Sequence, residues 1–225
     1  MGKRLGCLHA HYSNIEYLES TLATYDVELI HFVDPGLMYR VTADERFQES
    51  AAQNKVTEQM EWIAQCNVDA ILITCTNYIA ILAEEPLSIS IPILKINEPF
   101  FECICNITQP QSILFTNPAT VKGTMERLQD YAKKQHKSLH QLKVMVMDNM
   151  FELLMQGRIE EYNQEISRCL KRMITEEQRD VSVAQLSMVH AAQLVELETS
   201  KTIVNPLNTL LSSLVQQLAI EKKRL

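Results

Sequence analysis

The stretch DAILITCTNY, Asp69–Tyr78, decides the fold class of this chain. Small and aliphatic residues run without interruption toward Cys75, whose thiol stands between the hydroxyls of Thr74 and Thr76. A continuously apolar run without alternating polar residues is typical of a strand buried on both faces of a parallel, helix-covered sheet. The sequence therefore predicts a buried strand over 70–75, with the thiol at its carboxyl end.

Further strand-like runs lie on either side of this one and alternate with helical stretches. They span 3–9, 27–33, 91–96, 112–116, 142–147, 181–188 and 201–205. One long helix is predicted over 43–66, and an amphipathic helix is predicted from Pro206 to about Lys223. Strands that alternate with helices throughout the chain indicate an α/β fold.

The predicted strands divide into two halves of four. A single closed barrel of eight strands typically needs roughly 250 residues, and this chain has 225. No segment rich in Gly, Pro or Ser separates the halves, so we place the boundary at a tight crossover near Lys95. The final helix is predicted to return and pack on the first half.

Charge and composition narrow the classes of partner. The formal net charge is -7, whereas nucleic-acid binding needs clustered Lys and Arg, so no nucleic-acid partner is expected. No apolar run reaches the roughly 18 residues of a membrane span, and the first residues do not resemble a signal peptide. We therefore expect a cytoplasmic protein without membrane association. With five glycines and no Gly-rich phosphate loop, a nucleotide ligand is disfavoured.

The six cysteines are expected to be reduced thiols in a cytoplasmic protein. Cys103 and Cys105 form an isolated Cys-x-Cys pair, and a zinc site needs about four ligands at a recognisable spacing. The sequence therefore predicts no metal site. Most of the cysteines are interpreted as small buried hydrophobic residues.

Asparagine follows four of the predicted strands, at Asn77, Asn97, Asn117 and Asn205. Asn is favoured at helix N-caps and Pro in the first helical turn, so helix initiation is the simpler interpretation. The positions also favour binding, because ligands of parallel α/β sheets lie at the carboxyl ends of the strands. Helix N-termini at that edge offer unpaired N–H groups to anions. A small carboxylate is the ligand that fits best.

Cys75 has two interpretations at this point. A thiol directly before a helix N-terminus has a lowered pKa, about 3.5–7.5 in known cases, and its thiolate is a base or nucleophile. The alternative is a small residue that fills core space. The residues alone leave both interpretations open.

Four segments resemble, in order, motifs of the aspartate/glutamate/hydantoin racemase superfamily. They are ITCTNY at 73–78, LFTNPATVKGTMERL at 114–128, SVAQLSMVHA at 182–191 and VNPLNTLLSSLVQQL at 204–218. The first resembles the family's first cysteine motif, and the second its Ala-Thr-x-x-Thr-Val-x-Ser motif. The third resembles the strand of the second cysteine motif, and the fourth the C-terminal helix. Together they span nearly the whole chain.

The resemblance implies two pseudo-symmetric α/β halves that face each other across a cleft, one over 1–95 plus 205–225 and the other over 96–204. It implies an isomerase that needs no metal, pyridoxal or nucleotide cofactor and acts on a small carboxylate or amino acid such as aspartate or glutamate. Homodimers are common in the family. In its racemases, one cysteine thiolate removes the α-proton and a second cysteine returns a proton to the opposite face.

The resemblance also assigns roles to residues at matching positions. Cys75 matches the first catalytic cysteine, and Thr76 and Asn77 match its substrate-binding neighbours. The positions that match the anion site of the second half are Thr116, Asn117, Thr120 and Val121. The loop after the first strand, at 9–14, departs from the family pattern. The candidates for substrate binding in that loop are His9, Ser13 and Asn14, with helix capping by Ser13 as the alternative.

The second family cysteine is replaced by Met188, which follows Ser187. A thioether has no proton to give, and a neutral serine is a poor acid or base without an activating partner. His190 matches the family histidine after the second cysteine and is the predicted second acid or base, because imidazole changes protonation near neutral pH. Its alternative role is that of a capping or core residue.

Three functions follow from these residues. The first is a racemase in which His190 or Ser187 replaces the missing thiol. The second is an isomerase or decarboxylase that uses Cys75 alone. The third is a binding protein for a small carboxylate or amino acid that has lost the chemistry.

Overall fold

The computed structural model describes residues 2–82, 88–139, 141–177 and 179–223. Residues 1, 83–87, 140, 178, 224 and 225, which fall within the predicted halves, lie outside this description. The chain divides into two units, unit 1 with Met1–Asn97 and Leu211–Leu225, and unit 2 with Glu98–Leu210. Each unit contains a parallel sheet flanked by helices, so the predicted α/β class is confirmed.

Unit 1 is built on four parallel strands. They are β1 (Lys3–His9), β2 (Val27–Val33), β3 (Ala70–Ile73) and β4 (Ile93–Lys95). The helices between them are α1 (Asn14–Leu22), α2 (Pro35–Ala43), α3 (Glu49–Ala64) and α4 (Thr76–Ile81). The sheet has the order β2-β1-β3-β4. Every residue of β3 is buried, as the continuous apolar run at its position predicts.

Helix α3 covers one face of this sheet through residues spaced three or four apart. Val56, Met60 and Ile63 are buried against Leu8 of β1 and Ile71 of β3, because residues at this spacing form one stripe on a helix. A glycine lies where helix and strand approach most closely: a Cβ atom on Gly6 would lie 2.6 Å from a methyl carbon of Ile63. A larger residue at position 6 would push α3 away from the sheet.

Unit 2 repeats the pattern with three strands. They are β5 (Gln111–Phe115), β6 (Leu142–Val146) and β7 (Asp180–Val183), in the sheet order β6-β5-β7. The helices are α5 (Asn97–Asn106), α6 (Val121–Lys134), α7 (Met150–Met155), α8 (Ile159–Thr175) and α9 (Val189–Thr199). The last helix, α10 (Pro206–Leu218), begins in unit 2 and belongs to unit 1 from Leu211 onward. Two 3₁₀ turns, Pro118–Thr120 and Leu186–Met188, precede α6 and α9.

The central strand of unit 2 is β5, whose five residues are all buried. Helix α8 packs a stripe of fully buried residues into the core of the unit, and these are Tyr162, Ile166, Leu170 and Met173. Their spacing of three and four residues places them on one helix face. The stripe therefore carries the Tyr162 phenol into the unit's interior.

The single helix predicted over 43–66 is wrong in its first turns. Helix α2 ends at Ala43, and α3 begins only at Glu49. Asp44 has extended backbone angles, and its carboxylate accepts a hydrogen bond from the Arg46 amide (3.1 Å). An Asp side chain that bonds the backbone two residues on forms a turn that competes with the helix.

Two strand predictions in unit 2 are also wrong. The strand predicted over 181–188 ends at Val183, and Leu186–Met188 form a 3₁₀ turn whose apolar spacing imitates strand alternation. Within the described residues, the segment 201–205 contributes one isolated bridge, between Val204 and Ser182. Asn205 then accepts hydrogen bonds from the next helical amides, which begins α10 instead of extending a strand.

The end of the chain pairs with unit 1. Tyr25 and Lys222 form an antiparallel bridge. The Asp26 amide donates to the Glu221 carbonyl (2.8 Å), so residues after α10 extend the backbone hydrogen bonding beside β2. Across the described part of the chain, no helix combines the length and apolar character that a membrane crossing requires.

Candidate active site

Cys75 lies where the sequence predicts it, just beyond the carboxyl end of β3. It is half-buried, extended in backbone (φ -99°, ψ 118°), and occupies the N-cap position of α4 without a capping hydrogen bond from its thiol. The six-residue helix behind it is anchored by Tyr78, whose phenol donates to the Asp34 carbonyl (2.7 Å). Part of Cys75 packs against the core of unit 1. The thiol thus combines a fixed backbone with partial access to solvent.

Thr74, the residue before this thiol, organises the site in unit 1. Its hydroxyl donates to the Leu8 carbonyl (3.2 Å) and accepts from Asn14 Nδ2 (3.3 Å). A third hydrogen bond joins the hydroxyl to His9 Nδ1 (2.9 Å). The structure therefore brings two predicted residues, His9 and Asn14, to the residue that precedes Cys75.

The His9 imidazole continues this network toward the surface. Its Nε2 lies 2.9 Å from His31 Nδ1, and His31 Nε2 lies 3.1 Å from a carboxylate oxygen of Glu19. His9 is fully buried. Burial, with a smaller contribution from His31, lowers the pKa of His9 to about 4, so the ring is neutral around pH 7.

Cys7 adjoins the two imidazoles. It precedes His9 by two residues on β1, and the parallel register pairs it with His31 on β2. The thiol is fully buried, and burial raises its pKa far above the usual value. Among the described residues, Cys7, His9 and His31 form a group whose metal-binding atoms all lie within 4.8 Å of one another.

The other predicted residues of unit 1 lie outside this network. Ser13 is exposed, and its hydroxyl is hydrogen-bonded to His11 Nδ1 (2.8 Å), with no capping bond to α1. Thr76 is half-buried as the first residue of α4, and Asn77 is exposed on the same helix. The anticipated capping role of Ser13 is therefore not seen.

In unit 2 the amide and hydroxyl donors at the end of β5 are held by one side chain. The Gln185 Oε1 atom accepts from the Thr116 amide (2.7 Å), the Thr116 hydroxyl (2.8 Å) and the Asn117 amide (3.1 Å). Thr116 and Asn117 are two of the four residues that the racemase resemblance assigns to an anion site. In this structure their donors have a neutral carboxamide oxygen of the protein as acceptor.

A chain of hydroxyl groups runs beside these donors. The Tyr162 phenol oxygen lies 2.9 Å from Thr116 Oγ1 and 2.8 Å from Ser187 Oγ. Tyr162 is fully buried and Ser187 half-buried. The chain connects β5, α8 and the 3₁₀ turn after β7. It brings together Thr116 and Ser187, which the sequence predicts separately.

The remaining predicted residues of unit 2 have different surroundings. Met188 is fully buried in the hydrophobic core of the unit, and His190 is exposed near the start of α9. Asn117 caps the first 3₁₀ turn by accepting from the Ala119 amide (3.0 Å). Thr120 donates to the Asn117 carbonyl (2.8 Å), and Val121 packs against the core.

Several residues of these networks escape sequence reasoning. They are Cys7, Glu19, His31, Tyr162 and Gln185. Cys7 and His31 are separated along the chain and meet only through strand pairing. In the sequence, Tyr162 is one of the apolar positions of an amphipathic helix, and nothing there indicates that its phenol forms hydrogen bonds. Gln185 falls inside the strand predicted over 181–188, so its position at the sheet edge where ligands bind is not signalled.

Comparisons with known proteins identify the fold. No protein-family model matches the sequence, and a comparison with curated proteins gives no match. Solved structures do match. Picrophilus torridus aspartate racemase matches with a TM-score of 0.65 and 13% identity, over 99% of this chain and 96% of the racemase.

Two further structures agree. Glutamate racemase from Campylobacter jejuni subsp. jejuni has a TM-score of 0.62 at 12% identity, over 99% of this chain and 88% of that one. Allantoin racemase from Klebsiella pneumoniae has a TM-score of 0.59 at 18% identity, over 99% and 91%. The chain therefore shares the fold of these racemases.

Proposed function

We propose, on the premise of this racemase fold, that the chain is an isomerase acting at the α-carbon of a small carboxylate or amino acid. In this mechanism the Cys75 thiolate takes the α-proton, which leaves a planar carbanion beside the neutral thiol. A proton added to the opposite face completes racemisation. The observation that carries the proposal is the position of Cys75, a partly accessible thiol at the carboxyl end of β3 with its backbone fixed by α4.

The surroundings of Cys75 support a role in chemistry. The preceding residue, Thr74, is held by hydrogen bonds to His9, Asn14 and the Leu8 carbonyl. Such a network fixes the backbone that carries the thiol, and reacting groups need fixed positions. Cys7, by comparison, is fully buried and unsuited to contact a substrate.

The second proton-transfer group is proposed to come from the turn after β7. His190 is the first candidate because it is exposed and carries an imidazole. Ser187 is the second candidate because its hydroxyl is hydrogen-bonded to Tyr162, which is in turn bonded to Thr116. A hydroxyl chain of this kind can pass a proton between its members, which gives Ser187 the partner that an isolated serine lacks.

Aspartate, glutamate and allantoin are the first substrates to test, because similar folds belong to racemases of these compounds. Each enantiomer is incubated with the protein in deuterated water. Proton NMR measures loss of the α-proton signal, and chiral chromatography measures inversion. Cys75→Ser is the test variant. Cys66→Ser, which replaces another half-buried thiol, is the matched control.

Exchange with inversion, lost in Cys75→Ser and kept in Cys66→Ser, is the result expected of a racemase. His190→Gln and Ser187→Ala then identify the second group, because only the variant that lacks it should lose inversion. Exchange that persists at the wild-type rate in Cys75→Ser overturns the assignment of this thiol. Absence of both exchange and inversion with all six compounds overturns the racemase proposal for these substrates.

A single-thiol isomerase or decarboxylase is the second candidate function. Burial of Met188 in the core favours it, because the residue at the second cysteine position then reaches no substrate. This enzyme would exchange the α-proton with retention, or release carbon dioxide, and Cys75→Ser would abolish either activity.

A binding protein is the third candidate. The donors at the end of β5 already bond to Gln185, which favours a site altered from catalysis. Such a protein would bind one of the compounds, as measured by calorimetry, but would not exchange its α-proton. Cys75→Ser would leave the affinity for that compound unchanged.

A further inference from the structure

Three side chains with metal-binding atoms converge on one face of the first sheet. Cys7 and His9 are two residues apart on β1 and therefore project to the same face, and the strand register places His31 of β2 opposite Cys7. Their donor atoms all lie within 4.8 Å of one another. We propose that Cys7, His9 and His31 form a binding site for a divalent transition-metal ion of the zinc type.

The hydrogen bonds around the two imidazoles support this site. His9 Nδ1 lies 2.9 Å from the Thr74 hydroxyl. The ring nitrogen can donate to this oxygen, because the hydroxyl hydrogen has an acceptor of its own in the Leu8 carbonyl (3.2 Å). His31 Nε2 lies 3.1 Å from Glu19, whose carboxylate only accepts. Each outer nitrogen therefore has an acceptor for its hydrogen in the tautomer that metal binding requires. In that tautomer the two inner nitrogens, 2.9 Å apart, are both available as ligands.

Without a metal ion, a hydrogen bond joins the two inner nitrogens. A metal ion would take the place of this hydrogen and bind both. Cys7 favours the metal, because a thiolate adds a third ligand from the same face, and zinc accepts mixed Cys and His ligands. On binding, the Cys7 thiol releases its proton to solvent and the sulfur–metal bond forms in its place.

The distances require a modest adjustment. Zinc–nitrogen bonds of about 2.0–2.1 Å and zinc–sulfur bonds of about 2.3 Å place tetrahedral ligand atoms roughly 3.3–3.6 Å apart. The imidazole nitrogens, now 2.9 Å apart, would separate by a few tenths of an ångström. The most distant pair of donor atoms, within 4.8 Å, would close by about 1 Å. Both changes would come from side-chain rotation, because strand pairing fixes the backbone of all three residues.

The surroundings match those of metal-bound histidines in two respects. Metal-binding histidines donate their other ring N–H to a carboxylate or another acceptor. Here Glu19 accepts from His31, and the Thr74 oxygen is within hydrogen-bond distance of His9 Nδ1. The charges also balance. A divalent ion with one thiolate leaves one positive charge, which the Glu19 carboxylate offsets. Three protein ligands leave a fourth position for water or an external ligand.

This inference goes beyond the proposed function and does not rest on it, because the site lies within unit 1 and its test needs no substrate. Full-length protein, stripped with a chelator under reducing conditions, is titrated with zinc and, separately, with cobalt(II). Bound zinc is measured by mass spectrometry after gel filtration. Cobalt reports its ligands through thiolate-to-metal charge-transfer absorption, which a site without cysteine does not give.

The expected result is one zinc per chain and a thiolate charge-transfer band with cobalt. Both should be lost in Cys7→Ser and in His31→Gln and retained in Cys66→Ser, with folding of each variant checked by circular dichroism. His31 reaches the surface, so its variant should fold even where Cys7→Ser does not. Glu19→Gln should keep the stoichiometry while lowering affinity about 10- to 100-fold, as for other outer-shell partners.

Two results would overturn the proposal. One is wild-type protein that retains no zinc and gives no charge-transfer band with cobalt, in which case a proton joins the two imidazoles. The other is folded His31→Gln that binds both metals as the wild type does, because the metal would then have other ligands.

Discussion

Gln185 accepts two hydrogen bonds from Thr116, one from its amide at 2.7 Å and one from its hydroxyl at 2.8 Å. Gln185, which follows β7, thereby fixes the end of the neighbouring strand β5. Because Asn117 donates to the same oxygen, this atom satisfies three donors at once. Buried donors that lose their acceptor are costly, so this contact contributes to the stability of unit 2.

Gln185→Leu should therefore lower the free energy of unfolding by about 1–3 kcal/mol, because it removes the shared acceptor from half-buried and buried donors. Gln185→Glu keeps an oxygen in place and should cost less at neutral pH. Urea denaturation of both variants measures the difference. Equal losses in the two variants would mean that the hydrogen bonds contribute little.

Tyr162→Phe should lower the free energy of unfolding by about 1–2 kcal/mol. The ring remains packed, but Ser187 loses its phenol partner and Thr116 keeps only its bond to Gln185. Thermal and urea unfolding measure the change. Tyr39→Phe removes the same hydroxyl from a tyrosine that is 73% exposed and should stay within about 0.5 kcal/mol of wild type. If Tyr162→Phe left the free energy of unfolding unchanged, the hydroxyl chain would not contribute to stability.

Met188→Cys tests whether a second thiol can be restored. Met188 is fully buried among core residues, so the smaller side chain should leave a cavity and cost about 1–3 kcal/mol. The new thiol should resist alkylation in the folded protein, as followed by peptide mass spectrometry, and should not increase inversion of any substrate. Rapid alkylation at position 188 together with faster inversion would place this residue at the substrate.

The Asp69 carboxylate provides a pH-dependent contribution to stability. It accepts from the Arg4 amide (2.7 Å), and this bond, aided by Lys3, holds the pKa of Asp69 below its usual value. A lowered pKa in the folded state means that the contribution is present above about pH 4 and is lost as the pH falls through the folded-state pKa.

Asp69→Asn should therefore unfold more easily at neutral pH and lose less stability than wild type on acidification. Urea midpoints measured from neutral to acidic pH report this difference. A carbon-13 NMR titration of the Asp69 carboxyl group measures its pKa directly. Parallel midpoint curves for the two proteins would contradict the assignment.

The sequence was sufficient for the fold class and for the place of Cys75, because both depend on local apolar runs. Every residue of the strand Ala70–Ile73 is buried, and Cys75 lies just beyond its end. The predicted boundaries of helices and strands were wrong where the hydrogen bonds of one side chain redirect the backbone. Asp44 ended a helix by bonding Arg46, and Asn205 began one where a strand was predicted.

The content of the site was less predictable, because it depends on contacts between distant segments. His31 meets His9 only after β1 and β2 pair, and no local spacing signals it. Gln185 was hidden within an apparent strand, since Leu186 and Met188 imitate strand alternation. Met188, which the resemblance aligns with the second cysteine, packs in the core, and a linear motif does not reveal this burial.

The pairing of the chain's last segment with unit 1 has a consequence for biosynthesis. The Lys223 amide donates to the Thr24 carbonyl (2.8 Å), and Glu221 accepts from Asp26, so these contacts of unit 1 form only after the residues of unit 2 have been made. Unit 2 is continuous in the chain and has its complete sequence earlier. On the ribosome, unit 2 can therefore fold while unit 1 is still incomplete, the reverse of the usual order in which the more N-terminal unit folds first.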